Sequence, residues 1–223
     1  MGELITDSTD LQELKIKKKK LMNEFDARAR EWDKDLMHMD RSMAIATELE
    51  KMIPINPYMR ALEYGAGTGI LSFLLKDRFS EITLMDNSQE MINVCNEKTE
   101  FYQTSHIIPI WFDLEHQAFD GKFDIIYNQM VLHHVNDYEA IIHTFYSLLN
   151  ENGYLAIADL FPEDGSFHGM DVKVHLGFDP DKLSEILKMA GFKNVEHKTC
   201  FEVERDSGEK FPVFLLVAQK QSD

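Results

Sequence analysis

Apolar positions along this chain follow two alternating rhythms. Residues 60–64, 81–85, 106–112, 122–128 and 154–160 form short, nearly unbroken apolar runs. Runs of that kind suit strands buried on both faces. Between them lie stretches with helical periodicity. These are residues 70–79, a segment capped by Ser88 that runs to about Glu97, and residues 138–149,. Asn152-Gly153 supplies a stop and a turn,. The alternation predicts an α/β fold with a mostly parallel sheet.

The ends of the chain depart from that rhythm. Residues 180–190 read as a helix stopped by Gly191,. Two long β runs follow, at 192–203 and 211–218, with Asp206-Ser-Gly-Glu as the turn between them. That pair predicts an antiparallel hairpin added to the sheet. Upstream, residues 11–30 and 41–52 read as helices. The second aligns Ile45, Leu49 and Met52 on one face before Pro54 and Pro57 end it,. The expected layout is an N-terminal helical extension over 1–56 and a main domain over 57–223. The connection at 161–178 is too long for a routine link between strand and helix, and is expected to act as a lid.

Composition narrows the function. The chain has 223 residues, is 44% hydrophobic and carries a formal charge of -16, which repels phosphate backbones. No nucleic-acid partner is expected, and the five lysines between Lys15 and Lys20 read as a solvated helix face,. Cys95 and Cys200 form no CxxC pair, so neither a zinc ribbon nor a disulfide framework is predicted. No apolar run approaches the roughly 18 residues of a membrane span. The N-terminus lacks the pattern of a signal peptide. A cytoplasmic, non-membrane protein is expected, with no signal for its oligomeric state.

The densest chemistry lies between Ala61 and Asp86. A strand carrying Glu63 leads into Gly65-Ala-Gly-Thr-Gly69, then a helix, then a second strand ending on Asp86. The glycines let backbone approach a ligand closely. A dinucleotide loop has the spacing G-x-G-x-x-G, whereas here the third glycine comes early and Ile70 fills the later slot. Glu63 is a poor neighbour for pyrophosphate and a good one for a sulfonium or ammonium. Asp86 follows Gly65 by about twenty residues, the offset at which an acid meets ribose hydroxyls. Asp113, after the third strand, could accept from an adenine amino group, with Trp111, Phe112 or Leu114 walling the ring.

Glu63–Gly69, Asp86, Asp113 and Phe123-Asp-Ile-Ile-Tyr-Asn-Gln-Met-Val-Leu-His-His-Val resemble the successive motifs of class I S-adenosylmethionine-dependent methyltransferases. The nearest branch is similar to the ubiquinone/menaquinone-biosynthesis type. The resemblance implies a Rossmann-like seven-stranded sheet in order 3-2-1-4-5-7-6, strand 7 antiparallel, with helices on both faces. It implies S-adenosylmethionine as cofactor, S-adenosylhomocysteine as product and a small-molecule acceptor. Glu63, Gly65, Ala66 and Gly67 would hold the methionyl part, Asp86 the ribose, Asp113 the adenine, and Asn128 the methionine side with Gln129 beside it; Asn87, Met91 and Leu114 would also meet the cofactor. Phe25 and Trp32 match an F-D-x-x-A-x-x-W-D segment that covers the cofactor in this branch.

His133 and His134 would then lie near the transferring methyl, with His168 and His175 on the lid. His133, His134 and His168 are candidate substrate-side catalytic groups, one of them as a general base. No H-x-x-x-H or H-x-x-E-H spacing occurs, so no metal is expected. The two cysteines are too few for an arsenite methyltransferase, and strand four lacks the Asn/Asp-Pro-Pro-aromatic motif of exocyclic-amine enzymes. The reading is methyl transfer to a small organic acceptor by in-line displacement. The rivals are a cofactor-binding protein without transfer activity and an NAD-linked oxidoreductase.

Overall fold

The computed structural model describes residues 24–168, 174–205 and 207–221. The lysine run and most of the first expected helix lie outside them. Residues 24–28 are helical and continue as a 3-10 helix, Ala29–Lys34.

Helix α1 (Leu36–Met52) starts five residues earlier than its apolar face alone implied. Asp35 caps it, accepting from the Met37 amide at 3.0 Å,. After it come β1 (Arg60–Tyr64), α2 (Ile70–Leu74) and β2 (Glu81–Asp86). The expected helix over 70–79 is shortened. The Leu75 amide bonds both Leu71 and Ser72 carbonyls at 3.1 Å, tightening the last turn into a 3-10 helix, Lys76–Arg78,. Then follow α3 (Gln89–Phe101), β3 (Ile107–Trp111), β4 (Phe123–Gln129) and α4 (Tyr138–Leu148). The chain closes with β5 (Leu149–Leu160), α5 (Pro180–Met189), β6 (Lys193–Glu204) and β7 (Lys210–Gln219).

The seven strands lie in the order β3-β2-β1-β4-β5-β7-β6. Strands β1 to β5 are parallel, and β7 runs antiparallel to β5 and β6. Strand β5 starts earlier than expected, because Leu149 already pairs with Phe123; Asn152, at φ 64°, takes the turn inside it.

Each strand feeds two cores, as a period of two requires. Ala156, Ala158 and Leu160 of β5 join Val213, Leu215 and Val217 of β7 on one face, under Ile45 and Leu49 of α1. Leu155 and Ile157 join Phe214, Leu216 and Ala218 on the other, under Ile142 and Phe145 of α4. This two-sided burial explains why the strands read as continuous apolar runs. It also leaves the carboxyl ends of β1 to β5 aligned along one edge, where polar side chains can gather.

Candidate functional site

At that edge a cavity of about 440 Å³ opens. Its contributors follow the strand order: Asp113 after β3, Asp86 ending β2, the glycine loop after β1, His133 and His134 after β4, and His168 after β5.

Gly65 and Gly67 show why the loop needs glycine. Their φ angles are 65° and 54°, in the left-handed region. A Cβ on Gly65 would sit 2.5 Å from the Val131 methyls, whereas one on Gly67 would meet only Met91 Sδ at 4.0 Å. Gly65 is thus locked by packing, and Gly67 exposes bare backbone to the cavity. The Gly67 amide donates to Asp86 at 2.7 Å, and the Ser88 amide donates to the other Asp86 oxygen at 2.8 Å. Burial raises the Asp86 pKa, opposed by those amide bonds. Ser88 caps α3. Ala66, Asn87, Met91, Asp113 and Leu114 also line the cavity. Asp113 accepts from the Glu115 amide at 3.1 Å and pairs with His116 at 2.9 Å.

Two expected cofactor residues are not on the cavity wall. Glu63 lies behind the loop, fully buried. It accepts from Ser72 Oγ at 2.5 Å, and Ser72 meets the Tyr127 hydroxyl at 2.7 Å. Burial pushes its pKa up to about 8, so it acts as a neutral bracing acid under the loop at neutral pH. Asn128 is also buried away from the cavity, and neither amide atom has a hydrogen-bond partner among the described residues. Its neighbour Gln129 lines the cavity in its place, accepting from Ser42 at 3.0 Å. Strand alternation makes the exchange: adjacent residues point to opposite faces.

Phe25, Arg28, Trp32 and His38 of the N-terminal segment also line the cavity. Trp32 stacks on His38 with centroids 4.3 Å apart, and Phe25 and His134 meet edge-to-face with centroids 5.4 Å apart. Sequence reading missed the carboxylates that tie this segment to the main domain. Asp26 accepts from Ser88 Oγ at 2.5 Å. Asp33 accepts from Thr68 Oγ1 at 2.5 Å and pairs with Lys98. Both belong to the F-D-x-x-A-x-x-W-D segment, whose pattern alone gives no sign of their partners. Arg41 was missed as well. It lines the cavity, buried, with Nε unpartnered among the described residues, and burial lowers its pKa to about 10.

Of His133, His134, His168 and His175, the first three converge. Ring centroids of His133 and His134 lie 4.2 Å apart, His133 and His168 4.8 Å, and His134 and His168 5.2 Å. His133 is 1% exposed, with Nδ1 2.6 Å from Asp159. Burial lowers the pKa of His134, and brings that of His168 down to about 4. The imidazoles of His134 and His168 therefore face the cavity neutral at neutral pH. His175 is not among them: its ring bonds the Val135 carbonyl at 3.0 Å, and its amide the His133 carbonyl at 2.9 Å.

Residues 37–197 match the methyltransferase domain family, a span of more than half the chain. The chain belongs to this family. Methyltransferases match it by sequence too. An uncharacterized methyltransferase of Schizosaccharomyces pombe is 27% identical over 73% of this chain and 65% of its own length. An uncharacterized methyltransferase of Staphylococcus carnosus is 32% identical over 62% of this chain and 65% of its own length. The chain thus spans just under two thirds of these relatives. In three dimensions it resembles 1,6-didemethyltoxoflavin-N1-methyltransferase of Burkholderia thailandensis, solved with 1,6-didemethyltoxoflavin and S-adenosylhomocysteine. The TM-score is 0.72 at 16% identity, covering 100% of this chain and 94% of that one. The methyltransferase fold and family expected from the glycine motif therefore hold, while the ubiquinone-type branch is not singled out by these matches. No helix among the described residues is long and apolar enough to cross a membrane.

Proposed function

We propose that this methyltransferase uses S-adenosylmethionine to methylate a small organic acceptor. The observation that carries the reading is the linear order of groups along one cavity, from Asp113 through Asp86 and the glycine loop to the histidines. That order matches adenine, ribose, methionyl and acceptor in turn. About 440 Å³ falls within the range of small-molecule sites,. The open face of Gly67, which a Cβ would narrow, fits close approach by the methionyl part.

In this reading Asp86 keeps lone pairs for the ribose hydroxyls beyond the two it gives to amides. Asp113 takes the adenine amino group, with Phe112 and Leu114 as walls. Phe25 and Trp32 exclude water, with residues 24–56 acting as cover and the segment after β5 completing the acceptor side. The cofactor, when bound, supplies a sulfonium-activated methyl group open to in-line attack. The chain's own part is positioning and desolvation. Arg41 places a buried positive charge at the cavity and suits an acceptor with an anionic group. The 1,6-didemethyltoxoflavin bound beside S-adenosylhomocysteine in the Burkholderia neighbour supports a small-molecule acceptor.

Differential scanning fluorimetry with S-adenosylhomocysteine and with NAD tests this directly. Stabilisation by the first and not the second is expected. The reverse result, or none with either, would remove the reading.

A further inference from the structure

His133 holds Asp159 through Nδ1 at 2.6 Å, and Asp159 also accepts from the His133 and Leu160 amides at 3.2 and 2.8 Å. Asp159 is wholly buried, so this carboxylate fixes the ring and leaves the Nε2 lone pair turned away from it. That Nε2 is buried without a hydrogen-bond partner among the described residues. So are Nδ1 of His134 and Nε2 of His168. Burying such groups unpaired is unfavourable, and three imidazoles cannot satisfy one another through lone pairs.

The three side chains offer ligand atoms within 4.8 Å of one another. We propose that His133, His134 and His168 bind a divalent transition-metal ion of the zinc class. Nitrogen donors at about 2.0–2.1 Å from a tetrahedral ion lie about 3.4 Å apart, so the cluster would contract on binding. An imidazole whose far nitrogen donates to a carboxylate is the usual outer support of such a ligand. His133 and Asp159 form that pair before any ion arrives. Phe25 packs edge-to-face with the His134 ring on one side of the site. Helical spacing could not have announced it, because two ligands come from the turn after β4 and the third from the connection after β5.

Three protein ligands leave the fourth position open, the arrangement of a catalytic rather than a structural ion. All three histidines line the cavity, so the open position faces it. It would take an acceptor through oxygen or sulfur. A hydroxyl or thiol bound there releases its proton to water and keeps the electron pair on the donor atom, ready as a nucleophile. This role rests on the methyltransferase reading; the ion site itself does not.

The test uses the full chain stripped with a chelator, titrated with cobalt(II) chloride and then with zinc chloride. Visible ligand-field absorption and metal content by mass spectrometry are the readouts. Expected are a stoichiometric cobalt spectrum displaced by zinc, at least about 100-fold weaker binding in His168→Ala, and about 10–100-fold weaker binding in Asp159→Asn. His168 lies on a half-buried loop, so its variant keeps the fold even if changes at His133 do not. His143→Ala, on the exposed face of α4, should bind as the parent does. A parent without the cobalt spectrum, or equal binding in His168→Ala, overturns the proposal. S-adenosylhomocysteine binding by the same preparation separates the two readings: cofactor without cobalt sinks the ion alone, and cobalt without cofactor sinks the methyltransferase reading alone.

Discussion

The Asp33 carboxylate meets the Thr68 hydroxyl at 2.5 Å, joining the N-terminal cover to the glycine loop. Thr68 is 1% exposed, while the Asp33 side chain is about a third exposed, so the bond is half-buried. Lys98 adds a charge to the same carboxylate and donates to the Thr68 carbonyl at 2.8 Å. Cover, loop and α3 are thus tied at one point. Asp33→Ala should weaken S-adenosylhomocysteine binding about 5–30-fold, from about 1–2 kcal/mol of lost latch, with little change in Tm. Calorimetric titration measures it. Unchanged affinity would mean the segment does not act as a cofactor cover.

Asp86 has two duties, and its variants should separate them. One oxygen holds the Gly67 amide and the other the Ser88 amide. Asp86→Ala should lose at least about 100-fold in S-adenosylhomocysteine affinity and also lower Tm, because two amides are left unpaired. Asp86→Asn offers only one acceptor oxygen and should fall between parent and alanine variant in both. An alanine variant that binds normally would move the ribose elsewhere.

The glycine loop predicts a contrast between neighbours. Gly65→Ala meets the Val131 methyls and a left-handed backbone together, and should cost more than about 2 kcal/mol of stability by chemical denaturation. Gly67→Ala pays the backbone term alone, about 1–2 kcal/mol, but narrows the cavity wall and should lose cofactor affinity disproportionately. Equal stability losses in the two would refute the assignment of Val131 as the limiting contact.

The fold, and with it a cavity at the strand ends, was readable in the sequence because its signals are local. The glycines, Asp86 and Asp113 sit at strand ends whose order follows from alternation and resemblance. What escaped depends on faces and on distant partners. Glu63 and Asn128 lie in strands buried on both sides, where composition cannot tell cavity from core. Asp26 and Asp33 give no sign of their partners until Ser88 and Thr68 are placed opposite them. His168 joins His133 only because β5 pairs beside β4. The resemblance therefore supplied more of the fold than of the acceptor side, which is built from long-range neighbours.

Glu63 makes the last prediction, in pH. Around it stand Ser72, Tyr127, Cys95, Lys98 and Asp86. Burial raises its pKa from 4.5 to about 8, so the folded protein keeps a proton that the unfolded chain releases above 4.5. The stabilisation is complete below 4.5 and is lost as pH rises through about 8. Each tenfold change in proton affinity carries about 1.4 kcal/mol, enough to register in Tm. Glu63→Gln keeps an oxygen for the Ser72 hydroxyl and has no proton to lose. Parent minus variant removes most of the contribution of Asp86, which shifts in the same direction. Across about pH 5 to 8 the parent should lose Tm relative to Glu63→Gln. Parallel profiles would mean that Glu63 is ionised in the folded protein, and that the loop rests on a buried charge instead of a neutral acid.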